Sequence, residues 1–173
     1  AASIIAIEKG YFAREGVFVK PMRFTSGPAC SETLYAASAD IGTMGDATAV
    51  IAVSRGAPVR IIASHGGGER RHRIVVAPDS PIKEAAQLLG KRVAVKKGTS
   101  TFGGFLRFLK AHRIDPPRLE IVDMRPADMP EALFTGSVDA FVASEPTPSV
   151  AESKGARELA TLEGLGNSYP ILL

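Results

Sequence analysis

The stretch KRVAVKKGTSTFGGFLRFL, Lys91 to Leu109, reads as a strand, a turn and a helix, and it decides the fold class. KRVAVKK has the short β-branched centre of a buried strand. Phe102, Phe105, Leu106 and Leu109 then fall at i, i+3, i+4 and i+7, which places them on one helix face. Between the two lies KGTST, Lys97 to Thr101, small and hydroxyl-bearing residues where a strand hands over to a helix. In a parallel α/β sheet the strands end on one edge, so the helix N-termini that follow gather there with unpaired N–H groups and partial positive charge. Such an edge attracts anions.

The same alternation runs outward in both directions. Upstream, Ser3 to Lys9 predicts a helix stopped by Gly10, GVFVKPMRF (16–24) a strand, GPACSETLYAASA (27–39) a helix and ADIGTMG (39–45) a short strand. Asp46 is expected to cap a helix through ATAVIAVSR that ends at Gly56. PVRIIAS (58–64) predicts a buried strand and RIVVAP (73–78) another; Ser80-Pro81 then predicts the start of a helix through IKEAAQLL, before Gly90. Downstream, LEIVDM (119–124), VDAFVAS (138–144) and ARELATL (156–162) read as strands. Asp128 with Glu131 is a capping-box pattern opening a helix closed by Gly136, and PTPSVAESK (146–154) is a helix ended by Gly155. The expected class is α/β, with parallel-rich sheets covered by helices.

Composition narrows the function. A chain of 173 residues, 45% hydrophobic and 23% charged, can bury one core or two small ones. The net charge of +3 is dispersed apart from ERRHR (69–73), whose Arg70, Arg71, His72 and Arg73 either face a cleft and draw in an anion or, the preferred reading, form a solvated loop; there is no Trp, so a nucleic-acid partner is not expected. The single cysteine, Cys30, excludes an internal disulfide and leaves no zinc-ligand spacing; it reads as a small side chain packed under a helix. His65, His72 and His112 lack metal spacing, no serine sits in GxSxG, and KKGTSTFGG completes neither a Walker loop nor a dinucleotide fingerprint. No catalytic residue, metal or cofactor is expected. No apolar run reaches membrane-span length, and AASIIAIEKGYF lacks the pattern of a signal peptide.

Four strand-to-helix turns are candidate ligand contacts: TSGPA with Ser26 and Gly27, MGDAT with Gly45 and Asp46, KGTST with Gly98, Thr99, Ser100 and Thr101, and SEPTP with Ser144 and Glu145. Each also has an ordinary role as a cap: for Thr99 and Ser100 the two readings balance, and for Asp46 capping leads. Glu145 is placed to accept a hydrogen bond from a ligand or to neutralise an arginine. His65, before three glycines, is the cleft candidate among the histidines. No linker rich in Pro, Gly or Ser divides the chain. The extended RIVVAPDSP is the best crossing, giving a first lobe over 1–74, a crossing over 75–80, a second lobe over 81–166 and a return crossing over 167–173.

IAIEKGYFAREGV, ADIGTMGDA, DSPIKEAAQLLGKRVAVKKGTST and ALFTGSVDAFVASEP, taken together and in order, resemble the nitrate/sulfonate/taurine class of solute-binding proteins that feed ABC importers. The resemblance implies the two-lobed type II periplasmic-binding-protein fold with crossing hinge strands. It implies a small anionic or zwitterionic solute held in the cleft, at Ser26-Gly27, Gly45-Asp46, Gly98-Thr99-Ser100 and Ser144-Glu145. It further implies a membrane permease as partner, a monomer, and a periplasmic or surface-anchored location. The pyrimidine-precursor synthases of thiamine biosynthesis and the effector domains of LysR-type regulators look like the same architecture and are the alternatives. A pyrimidine would stack on Tyr11, Tyr35 or Phe102. Members of the class begin with a strand before the IAIEKGYF helix and continue with helices beyond SYPILL, so the chain is expected to be a piece of a longer protein.

Overall fold

A computed structural model describes residues 2–64, 66–68, 70–165 and 170–172. The first part carries α1 (Ala2–Glu8), α2 (Tyr11–Arg14), α3 (Gly27–Tyr35), β1 (Thr43–Gly45), α4 (Asp46–Ser54) and β2 (Ala63–Ser64). The second carries β3 (His72–Val76), β4 (Arg92–Val95), α5 (Ser100–Ala111), β5 (Glu120–Asp123), α6 (Met129–Phe134), β6 (Ala140–Ser144), α7 (Thr147–Glu152) and β7 (Arg157–Thr161). The last strand, β8 (Pro170–Leu172), returns to the first part and lies between β1 and β2, antiparallel to both.

The larger sheet runs β5-β4-β6-β3-β7. Its centre is parallel, β4 pairing with β5 and β6 through the crossovers that contain α5 and α6. Its β7 side is antiparallel, because β3 enters against β6 and β7 leaves against β3. Period two explains its two cores. Ile74, Val76, Val93, Val95, Ala140 and Val142 face α5, where Phe105, Phe108 and Leu109 are buried. Val75, Ala94, Phe141 and Ala143 face the other way, onto Met129, Leu133 and Ala151.

Several expectations change. β3 belongs wholly to the larger sheet, so residues 72–76 lie with the second part and the proposed boundary at 74 falls inside a strand. ERRHR is no solvated loop where it reaches the sheet: His72 and Arg73 are strand residues, His72 only 5% exposed. GVFVKPMRF forms no strand, and PVRIIAS supplies only Ala63 and Ser64, with Ile62 61% exposed. IKEAAQLL reduces to a 3₁₀ turn, Ala85–Leu88, which Glu84 and Gln87 open with a reciprocal capping box and Gly90, at positive φ, follows. Asp128 makes no cap bond; Arg125 Nε donates to its carboxylate at 2.8 Å.

Candidate functional site

Two helix N-termini, one from each part of the chain, meet head to head. α4 starts at Asp46, with Gly45 as its cap residue, and α5 starts at Ser100 behind Thr99. Thr99 Oγ1 accepts from Phe102 N at 3.2 Å and donates to Lys96 O at 2.6 Å, so its hydroxyl is used in shaping the turn. Ser100 turns outward to the other helix: its Oγ donates to the Asp46 carboxylate and accepts from Ala47 N at 3.3 Å. Thr48 Oγ1 donates to Gly98 O at 2.9 Å and completes a three-bond latch. The approach demands glycine. A Cβ on Gly45 would stand 2.7 Å from Ser100 Oγ, and one on Gly27, the first residue of α3, 2.8 Å from Thr48 Oγ1.

Asp46 is therefore the first residue of α4 and not its cap, and its Oδ1 also accepts from Ala47 N at 2.7 Å. A carboxylate placed between two helix N-termini is electrostatically favoured. The anion at the predicted anion-ready turn is here a side chain of the protein.

Beside this latch lies a cavity of about 350 Å³. Asp46, Ser100 and Arg107 line it with polar groups, and Val50, Ile51 and Leu162 supply apolar surface. His72 also lines it. The ring's Nδ1 lies 2.9 Å from Thr101 Oγ1, while Nε2 is buried and has no hydrogen-bond partner among the described residues. Burial, reinforced by the Arg71 charge and opposed by Asp46, pushes the His72 pKa down to about 4, so the ring is neutral near pH 7. A larger hollow of about 690 Å³ at Pro78, Ser80 and Lys83 is an open depression; its Arg157 guanidinium donates to Ile82 O at 2.7 Å.

The other sequence candidates divide. Ser26 caps α3, its Oγ accepting from Ala29 N at 3.4 Å. Thr101 is buried against His72. Ser144 ends β6 opposite His72 in register. Glu145 lies on the opposite face of the sheet from the cavity wall, where Arg73 donates to it and Ser149 Oγ donates to it at 2.7 Å. Arg73 also bonds Glu152 at 2.9 Å and Glu158 at 3.1 Å, so one guanidinium gathers three carboxylates. His65 lies outside the described residues. Of the stacking candidates, Tyr35 donates its hydroxyl to Ala52 O at 3.0 Å and Tyr11 lies under Arg14, while Phe102 packs on the α5 core. Sequence reasoning missed Arg107 as a cavity residue, and it offers His72 only within the cluster 70–73, for which a solvated loop is the preferred reading. The signal for His72 was available in the alternation His72, Ile74, Val76.

A family model described as NMT1/THI5 like matches residues 1–165. Two curated relatives are provisionally named aliphatic sulfonates-binding proteins. That of Bacillus subtilis (strain 168) is 32% identical over 165 residues, 92% of this chain and 50% of the relative. That of Escherichia coli (strain K12) is 32% identical over 134 residues, 78% of this chain and 42% of the relative. Among solved structures, the alkanesulfonate-binding protein SsuA from Xanthomonas axonopodis pv. citri, bound to MOPS, superposes with a TM-score of 0.87 at 28% identity, covering 98% of this chain and 60% of that one. The chain spans about half the length of the curated relatives it matches. Its fold is that of the type II periplasmic binding proteins. The chain belongs to the NMT1/THI5-like family of proteins.

Proposed function

We propose that this chain is the solute-holding part of an extracytoplasmic binding protein of an ABC importer, and that its cargo is a small organic anion or zwitterion of the alkanesulfonate class. The observation that carries the reading is the cavity beside the latch, which sets Asp46, Ser100, His72 and Arg107 against Val50, Ile51 and Leu162. An aliphatic sulfonate matches that division, with an apolar tail for the aliphatic wall and a hydrogen-bond-accepting head for N–H donors. Relatives named for aliphatic sulfonates and for taurine support the same class. The cavity has no Phe or Tyr wall among the described residues, which counts against a pyrimidine stacked between rings.

In this reading the protein binds and releases its cargo without converting it. Cargo bridging α4 and α5 favours the closed arrangement of the two parts, and a membrane permease reads that population. The divisions proposed are a first lobe up to the 66–71 region, a second lobe from β3 to β7, and a return crossing through β8. A monomer, located outside the cytoplasmic membrane, is the form proposed to act.

The test is a thermal-unfolding screen of the purified chain with ethanesulfonate, taurine, nitrate and a pyrimidine, since a ligand at a hundred times its dissociation constant stabilises by about 2.7 kcal/mol. Sulfonates are expected to raise the melting temperature and the pyrimidine to leave it unchanged. Stabilisation by the pyrimidine alone would reverse the assignment of the cargo.

A further inference from the structure

His72 is 5% exposed and lines the cavity, and among the described residues its buried Nε2 has no hydrogen-bond partner. A buried ring nitrogen left without a partner costs stability, and such atoms mark places completed by something else. The identity of the missing partner follows from the other nitrogen. Thr101 is itself buried, and among the described residues the hydrogen bond to His72 Nδ1 is the one its hydroxyl makes. A threonine hydroxyl has one hydrogen to place, and with Nδ1 as its acceptor the ring proton resides on Nε2. Were Nδ1 the donor, the Thr101 hydrogen and the Nε2 lone pair would both be stranded. The open position of His72 is thus an N–H donor.

We propose that His72 is a specificity-determining contact of the binding cavity: its Nε2–H, set as a donor by Thr101, hydrogen-bonds an oxygen of the bound organic anion. This rests on the reading of the cavity as the cargo site and adds to it the group that selects the cargo's head. A neutral donor suits an oxyanion beside Asp46, because it supplies a hydrogen bond without the protonation that burial resists. Arg107, which also lines the cavity, provides the balancing positive charge. Thr101 acts through His72 and is a positioning residue.

The experiment uses the whole chain labelled with ¹⁵N at histidine, titrated with ethanesulfonate, alongside His72→Phe and His72→Gln. Without ligand, the His72 nitrogen shifts are expected to report the neutral Nε2–H form. Ethanesulfonate is expected to move the Nε2–H resonance, His72→Phe to weaken binding at least tenfold with its cooperative melt retained, and His72→Gln, which keeps an N–H donor, to recover part of that loss. If the wild-type chain binds ethanesulfonate while the His72 resonances stay in place, the proposal is overturned and the reading of the cavity stands; this arm needs no variant to fold. An Nδ1–H tautomer in the free protein also overturns it. If neither ethanesulfonate nor taurine binds the folded wild-type chain, the cavity reading fails and the proposal fails with it.

Discussion

His72 also makes stability depend on pH. Its ring is held neutral by burial and by Arg71, against the opposing pull of Asp46, with a pKa lowered from 6.5 to about 4. Between those values the unfolded chain takes up a proton that the folded chain refuses, so stability falls as pH drops through this window and is unaffected by this group above it. The loss approaches roughly 3 kcal/mol once the pH is below the folded value. Urea melts at pH 7, 6 and 5 are expected to show a steeper decline for the wild type than for His72→Gln, with every other titratable group common to both. Equal slopes would remove His72 as the source. At this scale the sequence was legible for Thr99, a cap residue of α5, and for Ser26 as a cap of α3. For His72 the alternation with Ile74 and Val76 was present but masked, because three neighbouring cations make 69–73 look solvated, while alternate strand residues point to opposite faces. Nor was the Asp46–Ser100 bond readable, since it joins residues 54 positions apart.

Arg73 ties four elements into one unit. From β3 it reaches Glu145 at the end of β6, Ser149 and Glu152 on α7, and Glu158 on β7, and its side chain is 14% exposed. Removing the guanidinium leaves three carboxylates facing one another. Arg73→Gln is expected to destabilise the chain by roughly 2 kcal/mol, less than a fully buried pair would lose, because the three carboxylates retain solvent access. The deficit should shrink in high salt and on adding Glu145→Gln, since both reduce the repulsion. A loss in Arg73→Gln that neither salt nor the second substitution relieves would mean that packing, not charge, is what Arg73 supplies. Strands of the larger sheet were legible because burial on both faces writes itself as apolar runs, as in RIVV and AFVA. GVFVKPMRF and PVRIIAS have comparable β-branched content, but a strand also needs a neighbour for its backbone N–H and C=O groups, and propensity does not reveal whether one is present. The antiparallel side of the larger sheet was likewise hidden, because alternating elements predict parallel crossovers and do not say which strand enters from the other part.

Across the whole molecule the apolar burial is uneven. The two cores of the larger sheet bury every apolar residue of β3, β4 and β6, whereas the core of the first part consists of Leu34, Met44, Ala49 and Ala52 with a few half-buried neighbours. Among the described residues, the exposed large apolar side chains all precede residue 65 except Phe134 and Val150, and Phe18 is 97% exposed. Local stability follows buried contact, so the two parts should open at different free energies. Limited proteolysis of the folded chain is therefore expected to cut first within 16–24 and 57–70, and to leave a resistant fragment running from near residue 70 to near 165. The latch qualifies this, because Ala47, Thr48 and Asp46 are bonded to Gly98 and Ser100 on the resistant part. A solute that fills the cavity between α4 and α5 adds its binding free energy to the same contact, so a ligand of the cavity should slow the early cuts by the factor with which it stabilises the closed form. Ser100→Ala, which removes two of the three latch bonds and no core contact, should speed those cuts while leaving the resistant fragment intact. Simultaneous loss of both parts at one rate would show instead that the latch and the shared cavity couple them into a single cooperative unit, and Ser100→Ala would then lower the melting temperature of the whole chain.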